Sequence, residues 1–252
     1  MVVEPRFRDL FAGNPDVAEI LAPEAETVRR FAPALCLNLH GGTRSAYITA
    51  TSGAPFRAGF AHYRFRQAYN VRIPRAQEIL GEERKVHTAE HLASAMFYLG
   101  VERCTIPRAR LVAEPVRHAA PYAVLHPFAT AAGKTWPAAN FAAVAEHLES
   151  HGLEPVIVGA RGDRFQPFRR WRTVAGAPLG EVKSLLAGAS LFLGNDSGPA
   201  HMAAAFGIPV AVLFSASDPE IWGPWRTASQ VVRTPATVEQ AIEAVARLQV
   251  AV

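Results

Sequence analysis

From residue 122 onward, strand-length apolar runs alternate with amphipathic helical stretches, and this alternation restricts the fold more than any other feature of the chain. Tyr122–His126 reads as a strand, and Pro137 suits the first turn of a helix over 138–151. Strand 155–158, helix 180–187, strand 191–193, helix 198–206 and strand 210–214 follow, and Val231-Val232 and a helix over 238–248 close the chain. Strands spaced by helices in this way pair in parallel, through right-handed crossovers. Ligands of such sheets sit beyond the carboxyl ends of the strands, so the residues just after each strand are the ones to read for chemistry.

The first half is less regular. Leu35–His40 reads as a strand, Gly41-Gly42 turns the chain, and Thr43 to Thr51 looks helical. After a ragged basic stretch comes a helix over 86–99, stopped by Gly100. Residues 103–120 are rich in Pro and Arg with weak periodicity and read as a linker. The expected division is a domain over 1–118 and a second over 119–252. At 252 residues with 50% apolar and 19% charged composition, the chain is neither disordered, collagenous nor a coiled coil. Its longest apolar run, Met202 to Phe214, is broken by Gly207 and Pro209 and falls short of the roughly 20 residues a membrane span needs. The start, Met1-Val2-Val3-Glu4-Pro5, lacks the basic and apolar regions of a signal peptide, and Cys36 and Cys104 make no disulfide framework. A cytoplasmic enzyme is the expectation.

The formal charge of +4 is uneven. Residues 1–120 hold 16 Lys and Arg against 12 Asp and Glu, whereas residues 121–252 hold 10 of each. A basic half points to an anionic ligand, a nucleic acid or a membrane surface, or to a solvated face.

Two motifs fail on inspection. Ala132-Gly133-Lys134-Thr135 ends like a phosphate-binding P-loop, but the position five before Gly133 is Phe128 rather than Gly. His87-Thr88-Ala89-Glu90-His91 matches a helical zinc pattern without an acidic partner helix downstream, and reads as a plain helix.

Four post-strand segments carry chemistry. The first is Gly194-Asn195-Asp196-Ser197-Gly198-Pro199-Ala200-His201, between a strand and a helix. Ser197 is a natural N-cap, Gly198 allows close approach to the backbone, and the first helical N–H groups suit an anion. Asp196 suits sugar hydroxyls, and His201 on the first turn adds a hydrogen bond or a positive charge. The second is the loop His126 to Pro137, in which Thr130 and Lys134 reach a phosphate and Lys134 offsets a developing diphosphate charge. The third is Val158 to Asp163, in which Asp163 either accepts from a ribose diol or closes a turn. The fourth is Ser215-Ala216-Ser217-Asp218-Pro219, whose short hydroxyls close the same pocket.

These segments, in this order, resemble glycosyltransferase family 9, the ADP-heptose:lipopolysaccharide heptosyltransferases. The resemblance rests on H-P-x-A-T with G-K-T-W-P, V-G-A-x-G-D, L-G-E-V-K-S-L-L-A-G-A, the run from Leu191 to Val210, and S-D-P-E-I-W-G-P-W, covering nearly all of residues 122–225. More loosely, Val2 to Phe7, Gly13 to Val17, Leu39 to Ser45 and Arg57 to Phe60 are similar to the family's N-terminal domain.

The resemblance implies a GT-B α/β architecture of two Rossmann-like domains with parallel sheets facing across a cleft. It implies inverting transfer of a sugar, heptose by family habit, from an ADP-sugar to a phosphorylated lipopolysaccharide core acceptor. Lys134, Asp196 and His201 would be the catalytic groups, and Thr130, Lys134, Asp163, Asp196, Ser197, Gly198 and His201 would bind the donor. Arg44 and Arg57 would bind the acceptor, and the stretch including Arg64 and Arg66 would face an anionic lipid surface at the inner face of the inner membrane. No metal or other cofactor and no nucleic acid is implied. The resemblance also implies that the chain starts after the family's first βα unit, of roughly 30 to 40 residues. The loop of that unit carries the family's catalytic aspartate. The N-terminal domain is then incomplete and turnover by this chain low, with His40 the polar residue near the acceptor turn that would have to replace the base. A catalytically impaired nucleotide-sugar-binding paralogue is the alternative, followed by a GT-B-like nucleotide-sugar epimerase, which the G-N-D-S-G-P-x-H and K-x-W-P runs disfavour.

Overall fold

The computed structural model describes residues 1–129 and 135–248. The chain divides into two units, one of Met1–Phe11 with Pro15–Ile106 and one of Ala12–Asn14 with Pro107 onward.

In the N-terminal unit a short turn at Pro5–Phe7 leads into helix α1 (Arg8–Phe11), and α2 (Ala25–Phe31) follows. Strand β1 (Leu35–Asn38), helix α3 (Thr43–Thr51), strands β2 (Phe56–Phe60) and β3 (Val71–Ile73), and helices α4 (Ala76–Leu80) and α5 (Thr88–Tyr98) complete it. The three strands pair in parallel in the order β1-β2-β3. Ala58, Phe60, Ile73, Ile79 and Ala95 form the core, with Leu37 and Tyr63 packed against it. Burial grows toward the carboxyl ends: Leu35 and Phe56 start their strands exposed, while Asn38 and Phe60 end them buried. Strands β2 and β3 lie in what the sequence presents as a ragged basic stretch. Arg57 and Gly59 interrupt the apolar pattern of β2, and β3 is only three residues long.

The zinc-like His87–His91 segment has a different use. His87 is the N-cap of α5, its Nδ1 accepting from the Ala89 N–H at 3.0 Å, and Glu90 accepts from the His87 N–H at 3.2 Å. The reciprocal pair is a capping box, with a histidine in place of the usual hydroxyl residue. Arg84 also binds Glu90, and its guanidinium holds that carboxyl below the ordinary range. Among the described residues no group of three or more His, Cys, Asp or Glu is placed to hold a metal ion.

The C-terminal unit is β4 (Tyr122–His126), α6 (Ala138–Ser150), β5 (Glu154–Gly159), β6 (Arg172–Ala175), α7 (Leu179–Ala187), β7 (Leu191–Asn195), α8 (Gly198–Phe206), β8 (Val210–Phe214), α9 (Pro219–Trp222), β9 (Ser229–Arg233) and α10 (Val238–Arg247). Its sheet is parallel throughout, in the order β6-β5-β4-β7-β8-β9. The chain builds outward from β4 to β6, then returns beside β4 with β7 and builds the other way. The gap between β4 and β7 is therefore the topological switch point, where the crossovers leave a crevice at the carboxyl ends. Strands β7 and β8 are buried at every residue, as expected for central strands with helices on both faces. Leu125, Phe141, Ile157, Leu193, Leu213 and Val245 lie in one core cluster. Each large side chain so buried contributes about 1.5–3 kcal/mol relative to exposure.

Residues 107–118, expected to belong with the N-terminal domain, pack on the C-terminal unit. Pro107 accepts from the Trp225 indole at 3.0 Å, and the Val116 N–H donates to Ser184 at 3.1 Å. The excursion at Ala12–Asn14 is held there too, by Lys183 Nζ on the Ala12 carbonyl and by Asn14 Nδ2 on the Arg110 carbonyl, both at 3.1 Å. Among the described residues no helix is long and apolar enough to cross a membrane.

Candidate functional site

At the switch point, β4 ends in His126 and β7 in Asn195, with Asp196 and Ser197 leading directly into α8. The parallel register sets His126 opposite Gly194. Asn195 is fully buried, and its side chain is shared between two ends of another loop. Its Oδ1 accepts from the Trp136 N–H at 3.0 Å, and its Nδ2 donates to the Pro127 carbonyl at 2.9 Å. The loop after β4 is thus tied at both ends to the tip of β7. The Trp136 indole donates to the Ala236 carbonyl at 3.0 Å and packs edge-on against Phe141, which anchors the start of α6. Thr130 and Lys134, the loop's two expected phosphate contacts, lie outside the described residues.

Asp196 sits past the last residue of β7, its N–H still donating to Leu213 at 3.1 Å. One carboxylate oxygen accepts from the Ser217 hydroxyl, beyond β8, and the other lies 3.7 Å from His201 Nε2 on α8. The Asp196 side chain is 16% exposed and that of His201 45% exposed, so both are oriented and both remain accessible. Such a carboxylate–imidazole pair suits a hydroxyl-bearing ligand. The nine-residue helix beginning at Gly198 adds a partial positive charge beside it.

Ser197 occupies the N-cap, as expected, but its hydroxyl makes no capping bond. It lies instead 3.2 Å from Nδ1 of His126. Burial pushes the His126 imidazole down to about 4, and the nearby Asp163 carboxylate offsets this only in part, so the ring is uncharged at neutral pH. Asp163 itself closes the turn after β5, accepting from the Ala160 N–H at 2.6 Å. Gly159 is required there, because a Cβ at that position would lie 2.4 Å from the Phe128 ring and 2.8 Å from the Asp163 carboxylate. The sequence therefore brings Asp163, Asp196, Ser197, Gly198 and His201 to one rim. It does not by itself single out Asn195, His126 or the role of Ser217, whose partners are remote in the chain.

The N-terminal unit has a rim of its own. The buried Asn38 accepts from the N–H groups of His40 and Gly41, both at 3.0 Å, and shapes the turn into α3. Gly41 has φ +71°, and a Cβ there would meet the Tyr63 ring at 2.7 Å, so glycine is required on both counts. The Tyr63 hydroxyl donates to the Leu39 carbonyl at 2.7 Å, and burial raises its pKa to about 12. Arg44 is exposed on the first turn of α3. Arg57 spends Nε and Nη1 on the carbonyls of Ala68 and Ala54, at 3.3 and 3.0 Å, and so braces β2.

The family model for glycosyltransferase family 9 (heptosyltransferase) matches residues 25–249. The chain belongs to this family. Lipopolysaccharide heptosyltransferase 3 of Escherichia coli is 34% identical to this family 9 chain over 117 residues, which are 41% of the chain and 34% of that protein. The match thus spans about a third of that relative's length. The family 9 glycosyltransferase of Veillonella parvula DSM 2008 superposes with a TM-score of 0.85 at 19% identity, over 98% of this chain and 86% of that one. The E. coli heptosyltransferase WaaC, solved with ADP-2-deoxy-2-fluoro heptose, gives a TM-score of 0.73 at 18% identity, over 98% and 88%. The fold of this family 9 chain is accordingly GT-B-like, with two Rossmann-like domains each built on a parallel sheet.

Proposed function

We propose that the chain transfers a sugar, heptose by family resemblance, from an ADP-sugar to a phosphorylated lipopolysaccharide core acceptor, with inversion at the anomeric carbon. The observation that carries this reading is the convergence of Asp196, Ser197, Gly198 and His201 at the β4–β7 switch point, beside a loop tied down by Asn195. Asp196 and His201 face the donor sugar, and Asp163 lies on the ribose side. Thr130, Lys134 and the first turn of α8 take the diphosphate. In a single in-line displacement the acceptor hydroxyl loses its proton to a base as it attacks. The diphosphate leaves with its charge met by Lys134 and by helix N–H groups, a stabilisation that grows toward the transition state. Arg44, past the carboxyl end of β1, meets an acceptor phosphate, and Arg57, near the amino end of β2, is a separate second acceptor contact through the part of its guanidinium not bound to backbone. The basic N-terminal half faces an anionic membrane surface from the cytoplasm.

Titration calorimetry with ADP tests the donor site. ADP binds the wild-type chain, and Lys134→Ala weakens binding at least tenfold, about 1.4 kcal/mol. Absence of ADP binding to wild type, or unchanged affinity in the variant, overturns the assignment.

A further inference from the structure

The donor reading gives no role to His126, although the structure holds its half-buried imidazole at the end of β4, beside the start of α8. We infer that His126 is a positioning residue for the donor site, acting through the Ser197 hydroxyl 3.2 Å from its Nδ1. This rests on the reading above. A serine at an N-cap ordinarily turns its oxygen onto the N–H of the second or third helical residue. In α8 the second residue is Pro199, which has no N–H, and the Ala200 N–H is already taken by the Ser197 carbonyl at 3.1 Å. The hydroxyl turns back across the switch point instead, onto the last residue of β4.

His126 is well placed to hold it. Its backbone is fixed by the register with Gly194, and its ring lies edge-on to Phe128 at 6.2 Å between centroids. An uncharged imidazole presents one N–H and one lone pair, so the contact with the hydroxyl is a neutral hydrogen bond whichever group donates. The consequence is a Ser197 side chain with one orientation, its remaining hydrogen-bonding capacity directed at a ligand on the rim. His126 touches Ser197 and acts on the ligand through it.

The test is ADP calorimetry at pH 7.5 on the intact chain. It compares wild type with His126→Ala, His126→Asn, Ser197→Ala and the double variant His126→Ala/Ser197→Ala, with thermal unfolding run alongside. Each single alanine variant is expected to weaken ADP about tenfold. The double variant is expected to be no weaker than either single, because both remove the same contact. His126→Asn keeps a hydrogen-bonding partner near the hydroxyl and is expected to recover affinity to within threefold of wild type. Ser197→Ala removes one rim hydroxyl and one hydrogen bond, so its unfolding temperature should fall by no more than a few degrees, and the test survives a poorly folded His126→Ala. Unchanged affinity in Ser197→Ala, independent multiplying losses in the double variant, or no recovery in folded His126→Asn would each overturn the inference while leaving ADP binding by wild type intact. A wild-type chain that binds no ADP overturns the donor reading itself, and this inference with it.

Discussion

Asn38 and Asn195 hold the same post in two different sheets. Each ends a strand, each is buried, and each turns its amide into the loop at the carboxyl rim. They differ in reach. Asn38 Oδ1 binds N–H groups two and three residues ahead and shapes the turn that the chain makes as it leaves β1, while its Nδ2 reaches the Tyr69 hydroxyl 31 residues on. Asn195 binds groups 59 and 68 residues away, so it joins two loops that meet only when the sheet is assembled. The loop N–H groups at the N-terminal rim are held by a neighbour in the chain, whereas those at the C-terminal rim are held only through the assembled sheet. A ligand site whose parts must keep fixed distances is better served by the second arrangement, because the central strands position it directly.

Asn195→Ala breaks this comparison most directly. It strands the Trp136 N–H and the Pro127 carbonyl in a buried place, and each lost partner costs on the order of 1–3 kcal/mol. All four tryptophans, Trp136, Trp171, Trp222 and Trp225, lie in the C-terminal unit, so urea unfolding followed by their fluorescence reports on that unit alone. The expected result is a clearly lowered midpoint together with weaker ADP binding. A variant with the wild-type midpoint would mean that water reaches both groups, and that the junction is not a dry clamp.

Legibility in the sequence follows the same division between local and remote. Strands β7 and β8 announce themselves as unbroken apolar runs because both faces are covered. Strand β6 is hidden: it is an edge strand, largely exposed, with no apolar run to mark it. Asp196, Ser197, Gly198 and His201 stand out because a strand end, a cap and a first helical turn are adjacent in the chain. Ser197 also shows the limit of local reading, since its capping position is evident and its actual partner, 71 residues back, is not. For the same reason His87 and His91 imitate a metal pair in the sequence while His87 in fact caps its own helix. Residues 107–118 carry no periodicity, and their docking on the C-terminal unit depends on backbone contacts that composition does not reveal.

Acid sharpens the comparison at about the next magnitude. His126 has a native pKa near 4, below the value of about 6.5 for an unfolded histidine. Between those values the unfolded chain holds the extra proton and the native one does not, so stability falls as pH drops through this window and is fully present above it. The shift corresponds to about 3 kcal/mol across the whole window. His62 and His91 of the N-terminal unit are also lowered by burial and act in the same direction, so the acid loss of the whole chain is shared. His147 of the C-terminal unit is lowered by burial too, and His126→Asn removes only the share that His126 contributes. Tryptophan-detected unfolding at pH 7 and pH 4.5 should show a smaller acid loss in the variant than in wild type. Equal losses would mean that His126 is solvated enough to titrate normally.

Asn38→Ala is expected to have the smallest effect. The turn it shapes is only part-buried, so water can replace the amide at the His40 and Gly41 N–H groups. The Tyr69 hydroxyl, in contact with Asn38 Nδ2 at 3.0 Å, loses a partner inside the unit. A net cost of about 1 kcal/mol follows, the size of one ordinary hydrogen bond. Circular dichroism should register it as a modest loss. The tryptophan transition and ADP affinity should not move, because every group involved belongs to the N-terminal unit. Movement of either would show that the two rims are coupled, and the local character assigned to the N-terminal turn would then have to be abandoned.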